Sequence, residues 1–268
     1  MSKVEIIRLN SARNALRYLL KAYKIPKICV PYYICPAIKS TLNKEFCKVE
    51  YYHIDDKFMP VGKFKWDDYI LYPNYFGICT KNVEILSKKY FNLIVDNAHA
   101  FYSEPMGLAA FNSPRKFFQK HYGVMEGAYL YTKKVLDKQL KISEDYEIDK
   151  EINYEKFIKN ENRLDKEPLM LMSHTTEKIM SYINFEEEKN WRLNNFYMYA
   201  EKFGKTNELS FEPDKNEVPF IYPYFTHNEK IGYELANQGL EIYRYWDGIP
   251  SIFDEYKFYK YLIPIPLF

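Results

Sequence analysis

The 268-residue sequence has no excess of either charge, since 38 lysines and arginines against 36 aspartates and glutamates leave a formal net charge of +2. That balance excludes both the basic field that nucleic acid attracts and the acidic excess of a disordered chain. No window approaches the ~20 apolar residues that a membrane-spanning helix needs. The N-terminal stretch MSKVEIIRLNSARNALRYLL carries Arg and Asn where a secretory peptide would be apolar, so a cytoplasmic protein with no membrane association is expected. Cysteine is scarce: Cys29, Cys35, Cys47 and Cys79 form no C-x-x-C pair and have no metal-spaced histidines near them. This argues against a zinc site and a disulfide framework, and leaves reduced, mostly buried thiols. Neither H-E-x-x-H nor G-x-S-x-G occurs, so metal-assisted hydrolysis and a Ser-His-Asp hydrolase have no support. No internal repeat is present.

What is there suits a folded protein. The chain is 47% hydrophobic and long enough for one substantial core, or for a large domain with a smaller appendage. Its aromatic share of 18%, with 27 tyrosines, suits polar-tipped pockets, an interface or an ordinary core alike.

Helix and strand patterns alternate through the first half. SARNALRYLLKAYKI places Ala15, Leu16, Leu19, Leu20 and Tyr23 at helical spacing behind a serine that can cap, so a helix starts near Ser11 or Ala12. KICVPYY reads as a short buried strand, CPAIKSTLNKEF as a helix opened by Pro36, and KVEYYHID as a strand. The order repeats in YILYPNYF, VEILSKKY and FNLIVD, the last a strand buried on both faces. Such alternation implies an α/β fold with a mainly parallel sheet. EGAYLYTKK, from Glu126, reads as a turn and a strand. The charged segment that follows lacks a clean apolar face and marks exposed helix, connection and the domain boundary. Residues 1–178 then form a large α/β domain and 179–268 a small α+β domain. In the second, residues 175–204 read as one long helix, with or without a kink, ending at Gly204. VPFIYPYFT reads as a strand, HNEKIGYELANQGL as a helix ended by Gly239, and EIYRYWD as a further strand.

Ligands of open α/β folds gather outside the carboxyl ends of the strands, which is where VDNAHAFYSEPMGLAAFNSPRKFF puts Asp96, His99, Ser113 and Lys116. Each has an ordinary alternative. Asp96 suits a cap or a turn, His99 a satisfied core position, Lys116 an exposed surface, and Ser113 a helix cap ahead of Pro114.

These stretches, in order, resemble the DegT/DnrJ/EryC1/StrS family of pyridoxal-phosphate sugar aminotransferases, which have the aspartate-aminotransferase fold (PLP fold type I). SARNALRYLL stands where that family has S-G-T-x-A-L, ICVPYYICPAIKSTL resembles its V-I-V-P strand and helix, and YPNYFGI resembles V-H-L-F-G. IVDNAHAF resembles D-A-A-H-A, FNSPRKFF resembles F-S-F-x-x-x-K, and MEGAYLYT resembles G-E-G-G-A-V-x-T. WRLNNFYMY and GLEIYRYWDGIP resemble later segments, so the match spans most of the chain.

The resemblance implies that Lys116 is the amine holding the cofactor's aldehyde, that Asp96 faces the pyridinium nitrogen, and that His99 lies by the ring or its phenolic oxygen. It also implies that Ser113, with Ser11 and the amides of Ala12 and Arg13, holds the phosphate at a helix N-terminus. Tyr33 is the candidate for stacking on the ring, although Cys35 stands at the aligned position. Asn74 replaces the family's usual His. The implied activity moves an amino group from an amino acid such as glutamate to a keto-sugar, nucleotide-linked, in surface-polysaccharide or related biosynthesis, and the implied assembly is a homodimer. Lys116 argues against the related dehydratases, which carry His there. The chain is shorter than typical members and lacks the G-Y-N-Y-R-M segment that reaches across the dimer, of which Asn162 and Arg163 are a faint echo. Those departures keep a second reading open, a scaffold or cofactor-binding protein of the same fold without turnover.

Overall fold

The computed structural model describes residues 3–149, 151, 153–209, 211, 214 and 217–267. From the N-terminus run β1 (Glu5–Leu9), α1 (Ala12–Tyr23), β2 (Lys27–Pro31), α2 (Pro36–Lys44), β3 (Lys48–Ile54), β4 (Pro60–Val61) and β5 (Tyr69–Pro73). A 3-10 turn (Tyr75–Gly77), α3 (Thr80–Lys89), β6 (Leu93–Asn97), β7 (Ala109–Asn112), α4 (Pro114–Tyr122) and β8 (Ala128–Thr132) follow. The remainder comprises α5 (Tyr154–Lys166), α6 (His174–Tyr182), α7 (Phe185–Phe203), β9 (Ile221–Phe225), α8 (Lys230–Asn237), α9 (Tyr256–Tyr261) and β10 (Leu262–Pro266).

The first eight strands make one sheet in the order β1-β8-β7-β6-β5-β2-β3-β4. From β3 through β2, β5 and β6 to β7 every pairing is parallel, while β8 runs antiparallel to both β7 and β1. Parallel strands need crossovers, and α1, α2, α3 and their connections provide them. Every residue of β6 is buried, as covered strands require. On one face Leu16, Leu19 and Leu20 of α1 and Leu42 of α2 pack on Val30, Leu71 and Ile94. On the other, Tyr72, Tyr75, Phe117 and Phe118 surround Val95.

The local signals explain the helix starts. Ser11 accepts the Asn14 amide and so caps α1, while Pro36 and Pro114 occupy the first turns of α2 and α4.

Two expectations for the C-terminal part fail. The helix foreseen over 175–204 is two helices, because Ile183 is extended and Asn184 caps α7 by accepting the Glu187 amide. EIYRYWD is not a strand. The partner of β9 is β10, in an antiparallel ladder from Leu262↔Phe225 to Pro266↔Ile221. The aromatic run at 243–246 instead turns inward, where Tyr33 donates its hydroxyl hydrogen to the Tyr245 carbonyl at 2.6 Å and Trp246 is buried.

Residue 178 lies inside α6, and Ile179, Met180, Phe220, Trp246 and Phe258 share one apolar cluster with residues of the large sheet. Phe196, Tyr222, Tyr224, Leu235 and Ile263 form a separate cluster around β9 and β10. Among the described residues no helix is long and apolar enough to cross a membrane.

Candidate active site

A cleft opens at the carboxyl ends of β5 and β6, against the first turns of α1, α2 and α4. Ser11, Ala12, Arg13, Asp96, His99, Ser113 and Lys116 all line it. The sequence pattern puts them there: parallel strands end together, and the helices that follow start at that same edge.

Asp96 is the last residue but one of β6, and one of its carboxylate oxygens accepts the Ala98 amide at 2.9 Å. Burial pushes its pKa up to about 6, against the opposing pull of that amide and of Lys116. Burial also lowers the pKa of Lys116, and the neighbouring Arg115 charge adds to the effect. His99 is held neutral, its pKa far below the usual value because burial and the Lys116 charge both oppose a second proton. Ser113 opens α4 with extended backbone and no capping bond from its side chain. Its hydroxyl remains available to a ligand.

Opposite these groups stand aromatic rings. The His99 ring lies nearly parallel to Phe220, with centroids 4.4 Å apart, and 5.5 Å from Trp246. Lys116 Nζ is 5.8 Å from the Phe220 centroid and 6.0 Å from that of Tyr245. The turn at Tyr75–Gly77 brings the two sides together. Phe220 donates its amide to the Phe76 carbonyl at 2.8 Å, and a Cβ on Gly77, whose φ is +73°, would lie 2.5 Å from the His99 carbonyl oxygen. Arg192, from WRLNNFYMY, is buried and ties the same parts. It donates to the carbonyls of Phe117, at 2.8 Å, and Phe220, at 3.4 Å, with burial bringing its pKa down to about 10.

At the other end of the cleft the α1 N-terminus meets α4 and α5. Arg13 donates to Glu161 Oε2 at 2.5 Å, and Arg115 pairs with Glu161 Oε1. Burial would raise the Glu161 carboxyl, but Arg115, Arg13 and Lys116 together hold it at about 2. Among the described residues Arg13 Nε and Arg115 Nη1 are buried without a hydrogen-bond acceptor, Arg13 Nε lying 3.8 Å from Asp165 Oδ1.

Tyr33 is the one predicted site residue that does not line the cleft. Its ring is fully buried and lies parallel to Tyr75 at 5.7 Å, so packing has claimed the face a stacked ligand would need. Cys35 lines the wall in its place. Asn74 has a structural task, accepting the Cys79 amide and donating to Thr80 Oγ1. Arg163 pairs with Glu167 and bonds Asn160.

Sequence reasoning missed Arg115, Glu126, Glu161 and Trp246 on the wall. Arg115 adjoins Lys116 and could have been weighed with it. Glu126 is fully buried and accepts from the Ser143 hydroxyl and the Ser173 amide, both at 2.8 Å, partners supplied from outside its own segment. Glu161 sits in a charge-rich helix where nothing distinguishes it from its neighbours.

The mixed α/β fold with its mainly parallel eight-stranded sheet matches PLP-dependent aminotransferase structures. Within that class the chain has the fold of the DegT/DnrJ/EryC1/StrS sugar aminotransferases. The crystal structure of such an aminotransferase from Brucella abortus superposes with a TM-score of 0.62 at 12% identity, covering 98% of this chain and 80% of that one. PseC of Helicobacter pylori, an aminotransferase involved in the biosynthesis of pseudoaminic acid, gives 0.63 at 16% identity, with 98% and 81% covered. The sugar aminotransferase CalS13 from Micromonospora echinospora gives 0.64 at 9% identity, with 98% and 82% covered. No family model matches the sequence, and no curated protein does.

Proposed function

We propose that this protein is a pyridoxal-phosphate-dependent aminotransferase of the DegT/DnrJ/EryC1/StrS kind. It takes an amino group from an amino acid, glutamate in this reading, and gives it to a keto-sugar, nucleotide-linked, in surface-polysaccharide or related biosynthesis. The observation that carries the reading is that Lys116 and Asp96 share one cleft with a helix N-terminus and two arginines. The donor set suits the cofactor. Arg13 Nε and Arg115 Nη1 are buried N–H groups without a hydrogen-bond acceptor among the described residues, as suits a phosphate site, and Asp96 and Lys116 offer the acid and the amine. The sugar substrate is supported by the names of the structural neighbours, PseC and CalS13 among them.

Bound there, pyridoxal phosphate supplies an electron sink for the carbanion left when an amino acid loses its Cα proton. The residues do the rest. Asp96, with its pKa near 6, is ionised at neutral pH yet close enough to titration to share a proton strongly with a ring nitrogen. Lys116 would hold the aldehyde and, as a free amine, could accept and return a proton; its lowered pKa makes the neutral, basic amine more accessible. His99, neutral, offers an uncharged nitrogen beside the ring, and Ser113, Ser11 and the amides of Ala12 and Arg13 hold the phosphate. The division at residues 178 and 179, a homodimeric assembly and a cytoplasmic location belong to the same reading. The pairing of Glu161 with Arg13 and Arg115 favours the alternative, a scaffold of this fold without turnover.

One experiment separates the two. The purified protein is mixed with pyridoxal phosphate, and its absorption and intact mass are recorded before and after borohydride, for wild type and Lys116→Ala. The expected result is a visible band and a borohydride-fixed mass gain in the wild type and neither in the variant. Identical behaviour of the two proteins would remove Lys116 from its role and put the scaffold first.

A further inference from the structure

Glu161 leaves an exposed-faced helix to put its carboxylate between two guanidinium groups, one from α1 and one from the residue before Lys116. The side chains of Arg13, Arg115 and Glu161 are only 13%, 6% and 22% exposed. One carboxylate cannot satisfy this many donors. Among the described residues Arg13 Nε and Arg115 Nη1 have no hydrogen-bond acceptor, Arg13 Nε reaching Asp165 Oδ1 only at 3.8 Å, and Glu161 Oε1, although paired with Arg115, receives no well-directed hydrogen bond. The cluster thus has two guanidiniums, with the Lys116 amine alongside, against one well-placed acceptor oxygen of Glu161 and a longer ion pair from Arg13 to Asp165. Such a set is completed by a group with more oxygens and more charge than a glutamate side chain.

We infer that Arg13 and Arg115 form an oxyanion seat for a phosphate or carboxylate group of a ligand, and that Glu161 fills this seat until the ligand displaces it. The exchange does not require α5 to leave. Asp165 accepts from Ser40 at 3.1 Å and from Lys44 at 2.6 Å, and Asn160 donates to the Met125 carbonyl at 2.7 Å, so the helix has anchors on either side of Glu161. Rotation about the Glu161 side-chain bonds is enough to open the seat. The inference deepens the function proposed above, because a seat next to Lys116 selects ligands that carry an oxyanion within reach of that amine. It rests on that reading only for the identity of the cleft.

The seat is tested on the full chain without cofactor, by calorimetric titration with inorganic phosphate and, separately, with glutarate. Glu161→Gln removes the competing charge and should tighten binding about tenfold, since apparent affinity scales with the fraction of open seat. Arg115→Gln should weaken it about tenfold or more through loss of charge-assisted hydrogen bonds. Glu161→Asp, which keeps the charge on a shorter arm, should fall between wild type and Glu161→Gln, and covers the case that Glu161→Gln folds poorly. Tightening seen with phosphate alone assigns the seat to a phosphate group, and tightening with glutarate assigns it to a carboxylate. Equal affinities in wild type and both Glu161 variants, or undiminished binding by Arg115→Gln, overturn the inference. Pyridoxal, which has no phosphate, fixed on Lys116 by borohydride provides the independent control. If that labelling fails while the phosphate titrations behave as expected, the aminotransferase reading falls and the seat stands. If it succeeds and the titrations do not, the seat alone falls.

Discussion

The two walls of the cleft differ in both chemistry and origin. One wall is polar and nearly continuous in sequence, running from Asp96 and His99 to Ser113 and Lys116. The other is assembled from distant segments: Trp246, from the loop before α9, lines the cleft, and behind it Phe76 from the turn after β5, Phe220 from the approach to β9 and Tyr245 pack around His99. The polar wall holds the groups to which the proposed function gives the chemistry. Burial is the leading cause of the shifts at Asp96, His99 and Lys116, and the aromatic rings are part of what buries them.

The comparison can be broken first from the polar side. Asp96→Asn keeps the shape of the side chain and removes its charge, so kcat should fall on the order of 10²- to 10³-fold, the usual cost of losing one preorganised electrostatic partner. Steady-state kinetics with an accepted keto-sugar would check it, and a fall of less than threefold would mean that the carboxylate does not face the reacting group.

Attack from the aromatic side should mainly cost stability. Trp246→Ala opens a cavity where the ring packs on His99, Tyr33 and Phe76, and should cost about 3–5 kcal/mol of folding free energy. Water admitted there should also bring the Asp96 pKa back toward the ordinary carboxylate range. Denaturant unfolding gives the first quantity, and NMR titration of the Asp96 carboxyl gives the second.

The smallest effect sharpens the link between the walls. Because the folded-state pKa of Asp96 is raised to about 6 above an ordinary value near 3.8, the folded protein holds that proton more tightly than the unfolded chain. This group therefore adds stability as pH falls from above 6 to about 4, and withdraws it as pH rises through 6. Glu161, held at about 2, acts in the opposite sense and loses its contribution as pH falls below its ordinary range. The Asp96 part is isolated by comparing cofactor-free wild type with Asp96→Asn. The variant should be the more stable at pH 8, with the difference shrinking toward pH 4. A difference independent of pH would show that Asp96 is not desolvated.

How much was legible follows the same division. The starts of α1, α2 and α4 were readable because Ser11, Pro36 and Pro114 act on the residues next to them. Asp96 and Lys116 were readable because a strand end and a helix start are local features that the topology of a parallel sheet brings together. Tyr33 was misplaced on the ring because nothing in its neighbours reveals that its hydroxyl is bound to the carbonyl of Tyr245. The run at 241–247 looked like a strand because aromatic residues favour both strands and buried loops, and only the pairing of β9 with β10 excluded it.

The sequence by itself determined the alternation of strand and helix, the capped helix starts and the line of ionisable groups at the sheet edge, since these depend on propensity, capping and period within a few residues. Only the tertiary structure decided that Glu161 enters the cleft between Arg13 and Arg115, and that Phe220, Tyr245 and Trp246 close over His99 and Lys116. Those contacts join residues far apart in the chain. They are selected by which surfaces can be buried together, and burial is a property of the packed whole.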